Sequence, residues 1–332
     1  MEGKIPVIDL HSHMLINLHY LKKDLSRRVS SPLFWNPLKN MLDLPKISEG
    51  GYRVIVSDVY VPGIFGVFLD YFKDALAQLD TLSHFVEKNN ERMVLAKSGK
   101  EVVEAVKKGD RIVAVPAIEG GHHIGNSVEN LHLFRERGVF YITLTHFVKN
   151  RIVGSCSFKF LYRDDGLTSF GREVVREMEK IGIVPDLAHI SSKGFFEVAS
   201  IYNGPLFVSH TGVRAFNDSE RNLSDEQIRE IGRKDGLIGI IMFPWYLKRG
   251  GVFSIARIWA KTAAYISEKI GPEHVAIGTD FDGYIFSVRE IRDASMIQKL
   301  RRFLEEEGFS REEIEGIFWK NALRFMERYY GG

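Results

Sequence analysis

Hydrophobic positions change period repeatedly along this chain. Short apolar runs at 5–10, 52–59, 111–118, 139–145, 183–188, 205–209, 237–243 and 275–279 alternate with longer segments in which apolar residues recur every three or four positions. Runs of the first kind read as buried strands and segments of the second as amphipathic helices, so their alternation is the sequence form of a parallel sheet with helical crossovers. Eight strands is the number that closes a (β/α)8 TIM barrel. Between them, 168–181 puts Phe170, Val174, Val175, Met178 and Ile181 on one helical face with charges opposite. Two helix starts carry the reciprocal pattern of a capping box, Ser224 with Gln227 and Ser310 with Glu313. Ile314, Ile317, Phe318, Ala322 and Phe325 then follow near-helical spacing, which predicts an extra C-terminal helix docked on the barrel. The stretch 17–51, interrupted by Pro32, Pro37 and Pro45, reads as a long loop over the site. No repeat, linker or low-complexity segment intervenes, so 1–332 reads as a single domain.

Composition narrows the function classes. With 45% hydrophobic and 27% charged residues the chain has material for a large core. A net charge of +2 without basic runs leaves no electrostatic footprint for nucleic acid, which favours a small-molecule substrate. Cys156 stands alone, which excludes an intramolecular disulfide and a multi-thiolate metal site and predicts a reducing compartment, the cytoplasm. No apolar run reaches the roughly 18–20 residues of a membrane span, and the ending FMERYYGG lacks a lipid-anchor tail, so no membrane anchor is expected.

In such barrels the chemistry sits where strands end at their C-terminal face. Here the strands run into His11-Ser12-His13, Glu119, His146, His189, His210 and Asp280, seven metal-capable or acid–base side chains. A lone His near a strand end is more often structural than a ligand, and a lone HxH is weak evidence. Recurrence at six of eight strands is hard to obtain from core packing and points to a metal site. His11 and His13, on one face of an extended segment, can take one ion. His189 and His210 can take a second, Glu119 can bridge the pair, and Asp280 completes the cluster. Zinc suits these nitrogen and oxygen donors, and two ions about 3.5 Å apart can hold a bridging hydroxide nucleophile. Asp9 and Asp282 read as residues that orient histidines, and His19, His84, His132 and His274 as surface residues.

The motifs themselves resemble a known family. Ile118-Glu119-Gly120-Gly121-His122, Leu144-Thr145-His146, Gly166-Leu167-Thr168-Ser169-Phe170-Gly171 and Asp186-Leu187-Ala188-His189-Ile190-Ser191 are similar to successive motifs of the membrane dipeptidase (renal dipeptidase, M19 peptidase) family. Ser209-His210-Thr211, Arg221-Asn222-Leu223-Ser224-Asp225 and Gly278-Thr279-Asp280-Phe281-Asp282-Gly283 continue them in order, preceded by Asp43-Leu44-Pro45 and Glu49-Gly50-Gly51. The resemblance implies a dipeptide substrate and two zinc ions per chain, bridged by Glu119 and a hydroxide, one bound by His11 and residue 13, the other by His189 and His210. It further implies that His146 stabilises the tetrahedral oxyanion, that Arg221 holds a substrate carboxylate, and that Asp280 carries the transferred proton. Arg221 by itself would pass for a solvated loop residue. Members of the family often form homodimers, but no stretch here identifies an interface. One position departs: the family's first motif has aspartate where this chain has His13, which leaves the site about one positive charge richer.

The main rival is another metal-dependent amidohydrolase, whose dinuclear members resemble one another in a bridging lysine after strand four. Here that strand ends in Thr143-Leu144-Thr145-His146, and Lys149 lies too far along. A non-catalytic metal-binding homologue is a second alternative, which the His13 change allows. A serine or cysteine hydrolase is set aside, since Cys156 falls in a loop and no GxSxG elbow is present.

Overall fold

A computed structural model describes residues 3–30, 40–61, 70–156, 165–248, 255–284 and 290–331. Its strands are β1 (Val7–Asp9), β2 (Tyr52–Tyr60), β3 (Met93–Leu95), β4 (Ile112–Glu119), β5 (Tyr141–Thr143), β6 (Val184–Asp186), β7 (Phe207–Thr211), β8 (Leu237–Ile240) and β9 (Val275–Ile277). All pair in parallel in the order β2-β1-β9-β8-β7-β6-β5-β4, and β2 pairs with β4 to close a ring of eight. The fold is therefore a (β/α)8 barrel, and each expected strand is present within a few residues of its expected limits.

β3 is the strand the hydrophobic pattern does not announce. It pairs with Ile112–Ala114 of β4, while β5 takes Ile118 and Glu119. Since β2 occupies one edge of β4, these two short strands share the other. Three residues flanked by charged neighbours are too few to register as a run.

The helices described are α1 (Leu44–Gly50), α2 (Tyr71–Lys88), α3 (Gly99–Lys108), α4 (Asn130–Glu136), α5 (Ser169–Ile181), α6 (Ser192–Ile201), α7 (Asp225–Arg233), α8 (Pro244–Leu247), α9 (Ile255–Ile270), α10 (Leu300–Glu306), α11 (Arg311–Glu315) and α12 (Asn321–Tyr329). α5 buries Val174, Val175 and Met178 as its pattern requires. α7 and α11 start with the expected capping boxes, each satisfying free N–H groups at both ends of the box. α1 corrects the reading of 17–51 as a loop. Asp43 caps it by accepting from Lys46 N at 2.9 Å, and Pro45 lies in its first turn, where a missing N–H costs nothing. Gly51, at φ +82°, ends the helix in a left-handed conformation that a side chain would strain. A π-helical turn, Ile16–Tyr20, also falls in this stretch, whereas Pro32 and Pro37 lie outside the described residues.

Strand residues divide between two apolar clusters, as the period of two requires. Val7, Ile55, Ile142, Ile238 and Ile277 pack with the surrounding helices. Ile8, Val54, Val113, Val115, Val184, Leu237 and Ala276 pack with one another and with Ala322, Phe325, Met326 and Tyr330 of the chain's end. The C-terminal helix thus seals one end of the barrel. Tyr330 Oη donates to Ala96 O just after β3, and Gly331 N to Gly182 O just before β6, tying the chain's end to the barrel. The polar cluster lies at the opposite end.

Candidate active site

All seven side chains singled out at strand ends converge there. Glu119, only 2% exposed, occupies the centre. Its Oε1 lies 3.6 Å from His11 Nε2, 3.3 Å from His189 Nε2 and 3.4 Å from His210 Nε2. Its Oε2 lies 3.5 Å from both His13 Nε2 and His146 Nε2. Asp280 Oδ1 stands 3.1 Å from His13 Nε2 and 3.8 Å from His11 Nε2. The imidazoles meet tip to tip, His11 and His13 at 3.1 Å and His189 and His210 at 3.2 Å.

The backbone bends to bring these groups in. His189, Asp280 and Asp282 hold left-handed φ of 63°, 59° and 66°. For residues other than glycine this costs about 1–3 kcal/mol each, a burden typical of functional sites. Gly283 makes room: a Cβ there would stand 2.1 Å from Asp280 Oδ1 and 2.5 Å from His13 Cδ2.

Outer partners fix which nitrogen faces the centre. Ser209 Oγ donates to Asp186 Oδ2 at 2.7 Å, so its oxygen is left to accept from His210 Nδ1 at 2.8 Å. His210 therefore turns a bare Nε2 inward. His11 Nδ1 faces Tyr141 Oη at 2.8 Å and Asp58 Oδ2 at 3.2 Å, and Tyr141 Oη reaches Asp58 Oδ1 at 2.9 Å. His13 has no such support, because its buried Nδ1 finds no partner. Asp58 and Asp186 thus do the orienting expected of Asp9 and Asp282. Asp9 instead accepts from Thr279 N and Oγ1 and from His11 N, tying β1 to the end of β9. Asp282 accepts from Asn17 Nδ2 and Met41 N.

Burial governs the protonation of the cluster. It pushes the Glu119 carboxyl up to about 7 against the opposing pull of His11 and His13. It holds His146, His189 and His210 well below the ordinary imidazole range, helped by neighbouring His122, Arg221 and His11 respectively. For His11 burial acts downward too, but facing Asp58 the ring is carried up to about 10. Three neutral imidazoles around a carboxylate offer lone pairs to a cation, and three overlapping groups could each hold one: His11, Glu119 and His210; His11, His13 and Asp280; Glu119, His146 and His189.

Among the other histidines, His84 and His132 are exposed as expected. His274 is not: it is buried, and its Nδ1 donates to Gly236 O at 2.7 Å. His19 is half-buried, with Nδ1 2.8 Å from Thr81 Oγ1. His123 braces the turn after Glu119 through Nδ1 to Gly120 O at 2.7 Å.

A sequence model of the membrane dipeptidase family, peptidase family M19, matches residues 1–329. The chain belongs to this family. Membership makes it a hydrolase acting on peptide bonds, of a metallopeptidase family. Dipeptidase tcpJ of Claviceps purpurea is 28% identical over 302 residues, 88% of this chain and 71% of that protein. Two solved structures share the fold at 24% identity, each aligned over 99% of this chain and 100% of the other. One is a dipeptidase of family M19 with a TM-score of 0.88, and the other is a metallopeptidase from Rhodobacter sphaeroides bound to a phosphinate mimic of L-Ala-D-Ala, at 0.87. Lys149, the lysine that follows β5 and His146, is 60% exposed and pairs with Asp165 at 3.1 Å rather than with Glu119.

Arg221 is the site residue whose setting only the structure reveals. It is 4% exposed, donates from Nη2 to His210 O at 2.9 Å, and lies over the Tyr246 ring at 5.4 Å. Its Nε is buried without a partner, and among the described residues it pairs with no carboxylate. Arg221 and the cluster share a cavity of about 330 Å³.

Proposed function

We propose that this M19 protein is a zinc-dependent dipeptidase, and the observation that carries the reading is the unpaired guanidinium of Arg221 beside the cluster. A buried cation without an anion is costly, and a planar fork opening on a cavity is suited to a carboxylate brought by a ligand. With the carboxylate at Arg221 and the peptide carbonyl at the cluster in the same cavity, a substrate whose two groups are one residue apart, a dipeptide, is the one expected to be selected.

The donors fit a pair of zinc ions, because the bare Nε2 of His210 and the low basicity of His189 leave nitrogen lone pairs beside the Glu119 carboxylate. His11, His13 and Asp280 would hold one ion, His189 and His210 the other, and Glu119 would be shared. Bound there, the ions supply the Lewis acidity that polarises a carbonyl and makes water a usable nucleophile at neutral pH. The protein's own groups do the rest. His146, held neutral, donates an N–H to the carbonyl oxygen as it becomes an oxyanion. Asp280 accepts the proton lost as the water oxygen bonds to the carbonyl carbon, and returns it to the amide nitrogen as the C–N bond breaks. Products are two free amino acids.

His13 replaces an anionic donor with a neutral one whose Nδ1 has no partner, so the ion on that side is held less firmly than its neighbour. Lone, buried and unpaired, Cys156 supports placing the protein in a reducing compartment, the cytoplasm.

Arg221→Ala tests the reading. It is expected to raise KM for dipeptides about 100-fold, the scale of a lost buried charge pair, while metal content holds. Dipeptide amides, which lack the carboxylate, should be poor substrates of both proteins. Equal KM in the two proteins would remove Arg221 from the site.

A further inference from the structure

The charged groups and histidines lining the cavity belong to the cluster or to carboxylate capture, and most of the remaining wall is aromatic. Tyr246 lies beneath Arg221, and Phe243 meets it edge-on with ring centres 5.3 Å apart. Phe243 also stacks on Tyr284 at 5.0 Å and 22°, and Trp245 lies 5.6 Å from Phe243. These rings come from two places in the chain. Phe243, Trp245 and Tyr246 sit where β8 gives way to the short helix α8, and Tyr284 follows the Asp280 turn, so the bank is assembled by the barrel end. Among the described residues, no charged side chain lines the cavity other than Glu119, Asp280, Arg221 and the histidines. Among these residues a charged substrate side chain would find no counter-ion left to meet, whereas an apolar one would exchange water for ring faces.

The bank begins at the carboxylate anchor. The side chain of a substrate's C-terminal residue branches from the carbon next to that carboxylate, so it is the group placed against Tyr246 and Phe243. Building on the dipeptidase reading, we infer that the preferred substrates are dipeptides whose C-terminal residue carries a large apolar or aromatic side chain, and that Phe243, Trp245 and Tyr284 set this preference. A bank of rings selects by shape and apolar area, and a pocket of this kind discriminates side chains by about 10- to 200-fold.

The test is kcat/KM on paired dipeptides, Ala-Phe against Phe-Ala, and Ala-Leu, Ala-Ala, Ala-Asp and Ala-Lys, with the C-terminal residue in both L and D forms. The expected order puts Ala-Phe and Ala-Leu at least about 10-fold above Ala-Asp and Ala-Lys, and Ala-Phe above Phe-Ala. Phe243→Ala and Trp245→Ala should narrow the Ala-Phe to Ala-Ala ratio, chiefly through KM, and Phe243→Leu should recover part of it. The metal content of each variant, measured alongside, reports whether the cluster has stayed intact. A flat profile, a preference for Phe-Ala, or a ratio unmoved by variants that retain metal overturns this inference and leaves the dipeptidase reading standing. Failure to cleave any dipeptide overturns both.

Discussion

The two ends of the barrel are built from the same strands and obey opposite rules. At the sealed end Phe325 stacks on Phe207 at 5.2 Å, and Phe140 meets Tyr330 at 4.9 Å, in an apolar plug closed by α12. At the open end five imidazoles, two carboxylates and a guanidinium are buried or nearly so, on a backbone that enters left-handed conformations at His189 and Asp280. The first arrangement lowers free energy by removing apolar surface from water. The second raises it by burying charge and straining the chain, and is tolerated because the rest of the fold holds it in place. Stability and chemistry are thus separable in this molecule, and substitutions at the two ends should have separate signatures.

The largest effect is expected at the open end. Glu119→Gln removes the carboxylate that faces all five histidines, and peptide hydrolysis should fall by roughly 10³-fold or more with loss of bound metal, read by elemental analysis and steady-state kinetics. His146→Ala should lower kcat by about 10²–10³-fold with metal retained. Asp58→Asn, which weakens the partner of His11, should weaken metal binding by about 10- to 100-fold in a chelator competition. At the sealed end the signature reverses. Phe325→Ala should destabilise the fold by about 3–5 kcal/mol in a denaturant titration while metal stoichiometry and kcat of the folded protein stay put. Smallest is Ser310→Ala, which removes one half of a surface capping box, for a loss of about 0.5–2 kcal/mol and no change in kinetics. Loss of metal from Phe325→Ala, or a large loss of stability without loss of metal from Glu119→Gln, would break the separation.

Sequence showed the sealed and open ends unequally. The strands were legible because a parallel barrel buries both faces of each, leaving continuous apolar runs. The ligand candidates were legible because polar residues stand out where such runs stop. Asp58 and Tyr141 were not, since they lie inside strands β2 and β5, where a single polar group reads as noise in an apolar run. Asp186 appeared only as part of a motif, and its hold on Ser209 and so on His210 depends on neighbouring strands. The left-handed turns at His189 and Asp280 were invisible because glycine is the usual sequence sign of positive φ, and neither residue is glycine. Helix α1 was hidden by Pro45, which breaks a helix interior but suits a helix start.

On the proposed function, the buried cluster binds two divalent cations and peptide hydrolysis depends on them. Metal-stripped protein titrated with zinc, with bound metal and dipeptide hydrolysis followed on the same samples, tests it most directly. Saturation is expected at two equivalents, with a weaker second step that sharpens in His13→Asp, and activity should rise with loading and be abolished by chelator. Full activity in metal-free protein, or zinc that binds nowhere near stoichiometrically while dipeptides are still cleaved, would contradict it.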